Sequence, residues 1–134
     1  MIPSTNDILS TSLKVERQPS KNHKLHIDYN TIGGYCDGLE AMKQVVYKIL
    51  NTERYEHIIY SWNYGVELRD LFGEPVNYVI SEIERRIKEA LLQDDRITKV
   101  NEFEFEVVRR GVVHTKFTVH TIFGDIQEEK VVNY

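Results

Sequence analysis

Apolar positions recur along this chain with two periods. Leu39, Met42, Val46, Ile49 and Leu50 keep helical spacing, which predicts an amphipathic helix over roughly 38–51. Asp37-Gly38-Leu39-Glu40 ahead of it reads as a capping box, with Asp37 accepting from the N–H three residues on and Glu40 reaching back. Val76, Val79, Ile80, Ile83, Ile87, Ala90 and Leu91 predict a second helix. Pro75 opens it at the first turn, where a missing N–H costs nothing, and Glu74 favours the positive helix end. Its other face carries Glu82, Glu84, Arg85, Arg86, Lys88 and Glu89. Glu82–Arg86 and Glu84–Lys88 are favourable i,i+4 pairs, and mixed charge of this kind predicts a solvated face.

The other period is two. Leu25-His26-Ile27-Asp28 alternates as a short strand, followed by a turn-rich segment from Asn30 to Gly38; Ile58-Ile59-Tyr60 is a brief strand candidate. Trp62 and Tyr64 fall in an aromatic loop beside Gly65, expected at positive φ, and are expected to pack as a lid over the core. In the last third, Phe103, Phe105 and Val107 alternate with glutamates, and Val113, Thr115, Phe117 and Val119 alternate with His114, Lys116, Thr118 and His120. A three-residue loop over 109–111, with Gly111 left-handed, would set Val107 opposite Val113, Phe103 opposite Phe117, Glu104 opposite Lys116 and Glu106 opposite His114. A slip of one residue would expose the phenylalanines. Gly124-Asp125 is expected to turn the chain into a last strand of about 126–132, whose polar groups on both faces mark it as an edge. The predicted fold class is α+β: two helices packed on a mainly antiparallel sheet, ending in a β-hairpin and an edge strand. Residues 1–22, with Pro3, Pro19 and a short patch from Ile8 to Leu13, read as an N-terminal arm, and 23–134 as a single domain.

Composition narrows the chemistry. At 134 residues, with 41% hydrophobic residues, the chain can bury one core unaided. A net charge of −4 gives no general pull toward nucleic acid or anionic membrane. The lone cysteine, Cys36, suits a small core or loop position and a reducing compartment. No apolar run approaches the ~18 residues of a membrane span, and the polar start carries no signal-peptide pattern. The five histidines lack metal-ligand spacing: His114 and His120 share a strand face but stand roughly 20 Å apart. Gly33-Gly34 lacks the spacing and lysine of a phosphate loop, and the carboxylates fall on regular solvent faces. No cofactor, metal or catalytic residue is expected, and the chain is not expected to be an enzyme.

Four features of residues 27–97 together carry a family resemblance. Gly34, Asp37, Gly38, Glu40, Ala41 and Gln44 form one run, and Ile49, Leu50 and Thr52 end the first helix. Tyr64, Gly65, Leu68, Asp70 and Leu71 follow in the loop, and the second helix ends in Asp94-Asp95-Arg96. In this order they resemble the small wedge protein of contractile-tail baseplates, historically called lysozyme-like, and look most like its XkdS-like branch in prophages of Gram-positive bacteria. The family's terminal triplet is Glu-Pro-Arg; the acid and the arginine are kept here and the proline is not.

The resemblance implies a structural subunit that links the baseplate wedge to the first sheath ring. Its partners would be other wedge proteins and the tail sheath protein, with no small-molecule substrate, nucleic acid or membrane. Made in the bacterial cytoplasm, it would reside in the tail baseplate of a phage or tail-like particle. Docking on the wedge core would fall to Asp94 and Arg96. Strand addition by the sheath would fall to the edge at Ile126, Glu128, Lys130 and Val132. Two other readings stay open from the residues: a peptidoglycan hydrolase of the tail, and a nucleic-acid-binding accessory protein suggested by Trp62, Tyr64 and the Arg109-Arg110 tip.

Overall fold

The computed structural model describes residues 16, 17 and 19–134; the Ile8–Leu13 patch of the arm lies outside them. The described part is α+β, with two helices and two antiparallel sheets.

The first sheet corrects the sequence reading. Strand β1 (Asn22–His26) ends earlier than expected, and residues 27–29 form a single 3-10 turn closed by Asn30 at φ 51°. The glycine-bearing segment after it, predicted as turns only, returns as strand β2 (Thr31–Cys36) antiparallel to β1. Asparagine tolerates the left-handed region, so Asn30 can close a hairpin that Gly33 and Gly34 do not advertise. Gln44 ties this hairpin to the first helix, donating to the His23 carbonyl at 2.7 Å and accepting from the Leu25 N–H at 2.9 Å. Cys36 is buried beside it, its Sγ 3.5 Å from the Gln44 Oε1.

Helix α1 spans Gly38–Leu50 and buries Ala41, Met42, Val46, Ile49 and Leu50. Asp37 is its N-cap but accepts from the adjacent Gly38 N–H at 2.7 Å, and Glu40 pairs with Lys24 at 2.6 Å, so the expected capping box does not form. A cation on β1 competes successfully for the Glu40 carboxylate. Helix α2 spans Val76–Leu91, with Pro75 as the N-cap rather than inside the first turn, and buries Val79, Ile83, Ile87, Ala90 and Leu91.

The larger sheet has the order β3-β4-β5, with β3 over Ile97–Arg109, β4 over Val112–Thr121 and β5 over Gly124–Asn133. Val107 lies opposite Val113, Glu104 opposite Lys116 and Glu106 opposite His114, as expected. Phe103 and Phe117 stack with ring centroids 5.2 Å apart, but through a bulge. Asn101 pairs with Thr118 and Glu104 with Lys116, so Glu102 and Phe103 together face Phe117, and Glu102 takes φ 57°. The extra residue has a purpose: it lets Val100 and Phe103 both point inward while the glutamates stay out. Further one-residue insertions in β3 lie between Ile97 and Lys99 and between Val107 and Arg109. The last of these shortens the predicted three-residue loop to Arg110-Gly111, with Gly111 at φ 86°. The second hairpin turns at Ile122-Phe123, two residues before the predicted Gly124-Asp125, and its ladder from Thr121–Gly124 to Val112–Asn133 has no shift. The buried stripes of both helices and the inner residues of all three strands join one core.

Between the helices, residues 51–75 form an ordered loop whose one bridge is parallel, Glu53 to Val66. The expected strand at 58–60 is a turn with Ile58 and Ile59 almost fully exposed, because no strand lies beside it to pair with. Trp62 is likewise exposed, whereas Tyr64 packs on the core and stacks on Tyr60 at 4.5 Å. Gly65 has φ 91°, and a Cβ there would sit 2.5 Å from the Thr52 carbonyl oxygen. Gly65→Ala combines a forbidden backbone with a main-chain clash, so a loss of more than about 2 kcal/mol in urea denaturation is expected.

Candidate functional site: a polar corner and an open sheet border

Two places in this fold coincide with residues singled out by sequence. The first is the corner between α2 and β3. Leaving the helix, the chain bends so that the Asp94 carboxylate folds back over Arg96. Asp94 Oδ1 accepts from the Arg96 backbone N–H at 3.0 Å and from its Nε at 2.9 Å, and Oδ2 accepts from Nη2 at 2.7 Å. A planar guanidinium suits this two-pronged contact in a way an ammonium would not. Arg96 Nη1 donates to the Ser20 hydroxyl at 3.3 Å, and Arg17 lies 3.6 Å from the exposed Asp95 carboxylate. The side chains of Asp94 and Arg96 are only 14% and 15% exposed, so the pair is a built part of the surface and not a free cation.

Burial alone would raise the Asp94 pKa. Hydrogen bonds from the Arg96 side chain and amide, with the guanidinium charge, outweigh it and hold the carboxyl below its ordinary value. A carboxyl lowered on folding adds stability that is present above its unfolded pKa, near 4, and is lost as pH falls through the folded value.

The second place is β5. Ile126 and Val132 are buried in the core, and Glu128 and Lys130 lie half-buried between them on the same inward face. Burial raises the Glu128 carboxyl and lowers the Lys130 ammonium from their ordinary values. Lys130 Nζ donates to Asn51 Oδ1 at 3.3 Å. The hairpin dictates where the main chain points. A two-residue turn between Thr121 and Gly124 makes that pair hydrogen-bonded, and the ladder alternates from it without a shift. Gly124, Ile126, Glu128, Lys130 and Val132 therefore spend their N–H and C=O groups on β4. Asp125, Gln127, Glu129, Val131 and Asn133 aim theirs outward, and among the described residues no strand meets them.

Sequence reasoning missed the residues that fix the loop over 51–75. Glu53 Oε1 accepts from the Leu68 and Arg69 N–H groups, both at 3.1 Å. Arg86, expected on a solvated face, is drawn in: it donates to the Glu67 carbonyl at 2.8 Å and to Glu82 at 3.0 Å, and pairs with Asp70. Arg86 flanks the apolar stripe of α2, and that position was the available signal. An open groove of about 560 Å³ between this loop and β5 is lined by Glu53, Glu56, Arg69 and Lys130 among others. Its carboxylates are engaged in holding the loop, with Glu56 on Arg69 at 2.8 Å. Among the described residues no cluster of His, Cys, Asp and Glu is placed to hold a metal ion, and no helix is long and apolar enough to cross a membrane.

Two measurements check the corner. Arg96→Ala leaves the Asp94 carboxylate poorly hydrated and without its cation, so a loss of about 1–3 kcal/mol at neutral pH is expected in urea denaturation. Asp94→Asn should flatten the fall in stability with acid below about pH 4, where the native chain loses the contribution of the lowered carboxyl.

The comparisons with known proteins fall on this same frame. A family profile described as contractile injection system sheath initiator matches residues 16–124. That span holds both helices and the 94–96 corner and stops at the first residue of β5. The chain is also similar to the phage-like element PBSX protein XkdS of Bacillus subtilis (strain 168), at 44% identity over 120 residues, covering 86% of this chain and 84% of that one. This chain belongs to the sheath-initiator family of contractile injection systems, with a structural role in starting a contractile tail sheath.

Proposed function

We propose that the chain is the adaptor that holds the first sheath ring on the baseplate wedge. The observation that supports this reading is the outward row of main-chain groups on β5, at Asp125, Gln127, Glu129, Val131 and Asn133, which no described strand meets. An added strand satisfies such a row at once and gains a continuous ladder. Ile126, Glu128, Lys130 and Val132 then serve as the inward face against which the incoming side chains lie. On the other side, Asp94 and Arg96 dock the chain on the wedge core. Arg96 has five N–H donors, and the contacts to Asp94 and Ser20 engage three, leaving two for carbonyls or carboxylates of the neighbour. With both contacts made, the rigid core passes a change in the baseplate to the sheath, and no bond chemistry is required of it.

Proline separates the added ladder from the internal one. Gln127→Pro removes an outward N–H and leaves the β4 ladder whole, which edge strands tolerate. Tails purified from a strain carrying this variant are expected to hold baseplates that lack sheath, while the isolated domain stays folded. Normal sheath content would refute strand addition at β5. A lysis band from the purified native chain in peptidoglycan zymography would instead favour a hydrolase.

A further inference from the structure

The side chains along β5 restrict which strand can join it. Glu128 and Lys130 are half-buried on the inward face, two residues apart, and neither forms a salt bridge among the described residues. Lys130 has one neutral partner, the Asn51 amide oxygen. Lys43 acts on the Glu128 carboxylate and Glu53 on the Lys130 ammonium without ion-pair contact, and the Glu129 amide donates to Glu128. Closer opposite charges arriving on a neighbouring strand complete the pairing of these partly dry groups. Apolar Ile126 and Val132 bracket them. On the outward face Glu129 stands at the middle of the strand, its side chain 67% exposed and touched by His114 at 3.0 Å.

Resting on the reading that β5 takes an added strand, we propose that its border is charge-coded for one antiparallel strand from a different protein. The inward side chains of that strand run apolar, acidic, basic, apolar against Val132, Lys130, Glu128 and Ile126, and a cation faces Glu129.

The chain itself explains why the occupant is not a second copy. Read along its inward face, β5 is apolar, acidic, basic, apolar, and so almost complements itself in antiparallel sense. The outward main-chain groups belong to odd-numbered residues, so a symmetric pairing must set odd against odd. A register centred on Glu128 opposes two carboxylates, one centred on Lys130 opposes two ammoniums, and those centred on Gln127 or Val131 set the inner charges against uncharged residues. The register centred on Glu129 satisfies both inner charges and sets Ile126 against Val132 of the copy. It also places Glu129 directly against itself on the two-fold axis, where like charges repel. Glu129 is the residue that keeps the border free for a partner carrying a cation.

Sedimentation of purified full-length chains tests this without the partner. The native chain is expected to be monomeric and Glu129→Gln dimeric. Adding Lys130→Glu to Glu129→Gln should raise the dissociation constant about tenfold or more, because each dimer then contains two like-charge contacts, and Glu128→Lys on top should restore the dimer. If Glu129→Gln stays monomeric, the gate is refuted. If all the variants dimerise alike with amide protection at residues 127 and 131, the code is refuted while the open border stands. The heptapeptide valine-threonine-glutamate-lysine-lysine-threonine-valine should protect those amides in the native chain more than its isomer with glutamate and the second lysine exchanged. Equal protection by the two, or none by either, overturns the code. The sheath content of the Gln127→Pro tails is read separately and reports on the border alone.

Discussion

Val113, Thr115, Phe117 and Val119 run along the middle strand of the larger sheet as a strip that water does not reach. Keeping it dry takes both helices at once: the stripe of α2, at Val79, Ile83 and Ile87, and the stripe of α1, at Met42, Val46 and Ile49, close over it in one core. Each of these side chains contributes on the order of 1.5–3 kcal/mol by leaving water. The cost accepted there is local, a buried Thr115 hydroxyl with no hydrogen-bond partner among the described residues. The helices cover one face of the three-stranded sheet and leave its polar face and its borders outside.

What could be read from the residues follows from how strongly each pattern is coupled to this strip. The helices and the β3–β4 register were legible because any other choice moves phenylalanines into water. The β1–β2 hairpin was not legible: Ile32 and Tyr35 stay exposed, so burial leaves no trace in the sequence, and Gly33-Gly34 suggests a turn. Ile58-Ile59 misled for the opposite reason, being apolar without anything to cover them. The bulge at Glu102-Phe103 was hidden because the alternation of glutamate and phenylalanine looks regular until Val100 must also face inward. At the candidate surfaces, sequence indicated the acid and arginine of the corner but not that they would engage each other. It indicated an edge strand, but not which of its residues would keep their main-chain groups free.

Charge on α2 illustrates the limit of reading faces from composition. Glu82 and Arg86 form the i,i+4 pair that spacing predicts, yet Arg86 continues past it to the Glu67 carbonyl and to Asp70. The hydrogen bond that Arg86 donates to Asp70 comes first in holding its pKa above the ordinary value, against the burial that would lower it. With Glu53 turned back on the Leu68 and Arg69 amides, this makes the loop over 51–75 part of the framework. The polar corner and the sheet border are thus carried on one stiff body.

The two flanks of the larger sheet are unlike. Strand β3 is interrupted by three inserted residues, each of which coils it and breaks the even spacing of its outer polar groups, whereas β5 runs its whole length in step with β4. The sheet is thus directional: one flank is broken in its spacing and the other is regular. Any extension of this sheet by further strands would therefore be one-sided, favouring the flank whose outer main-chain groups keep an even spacing.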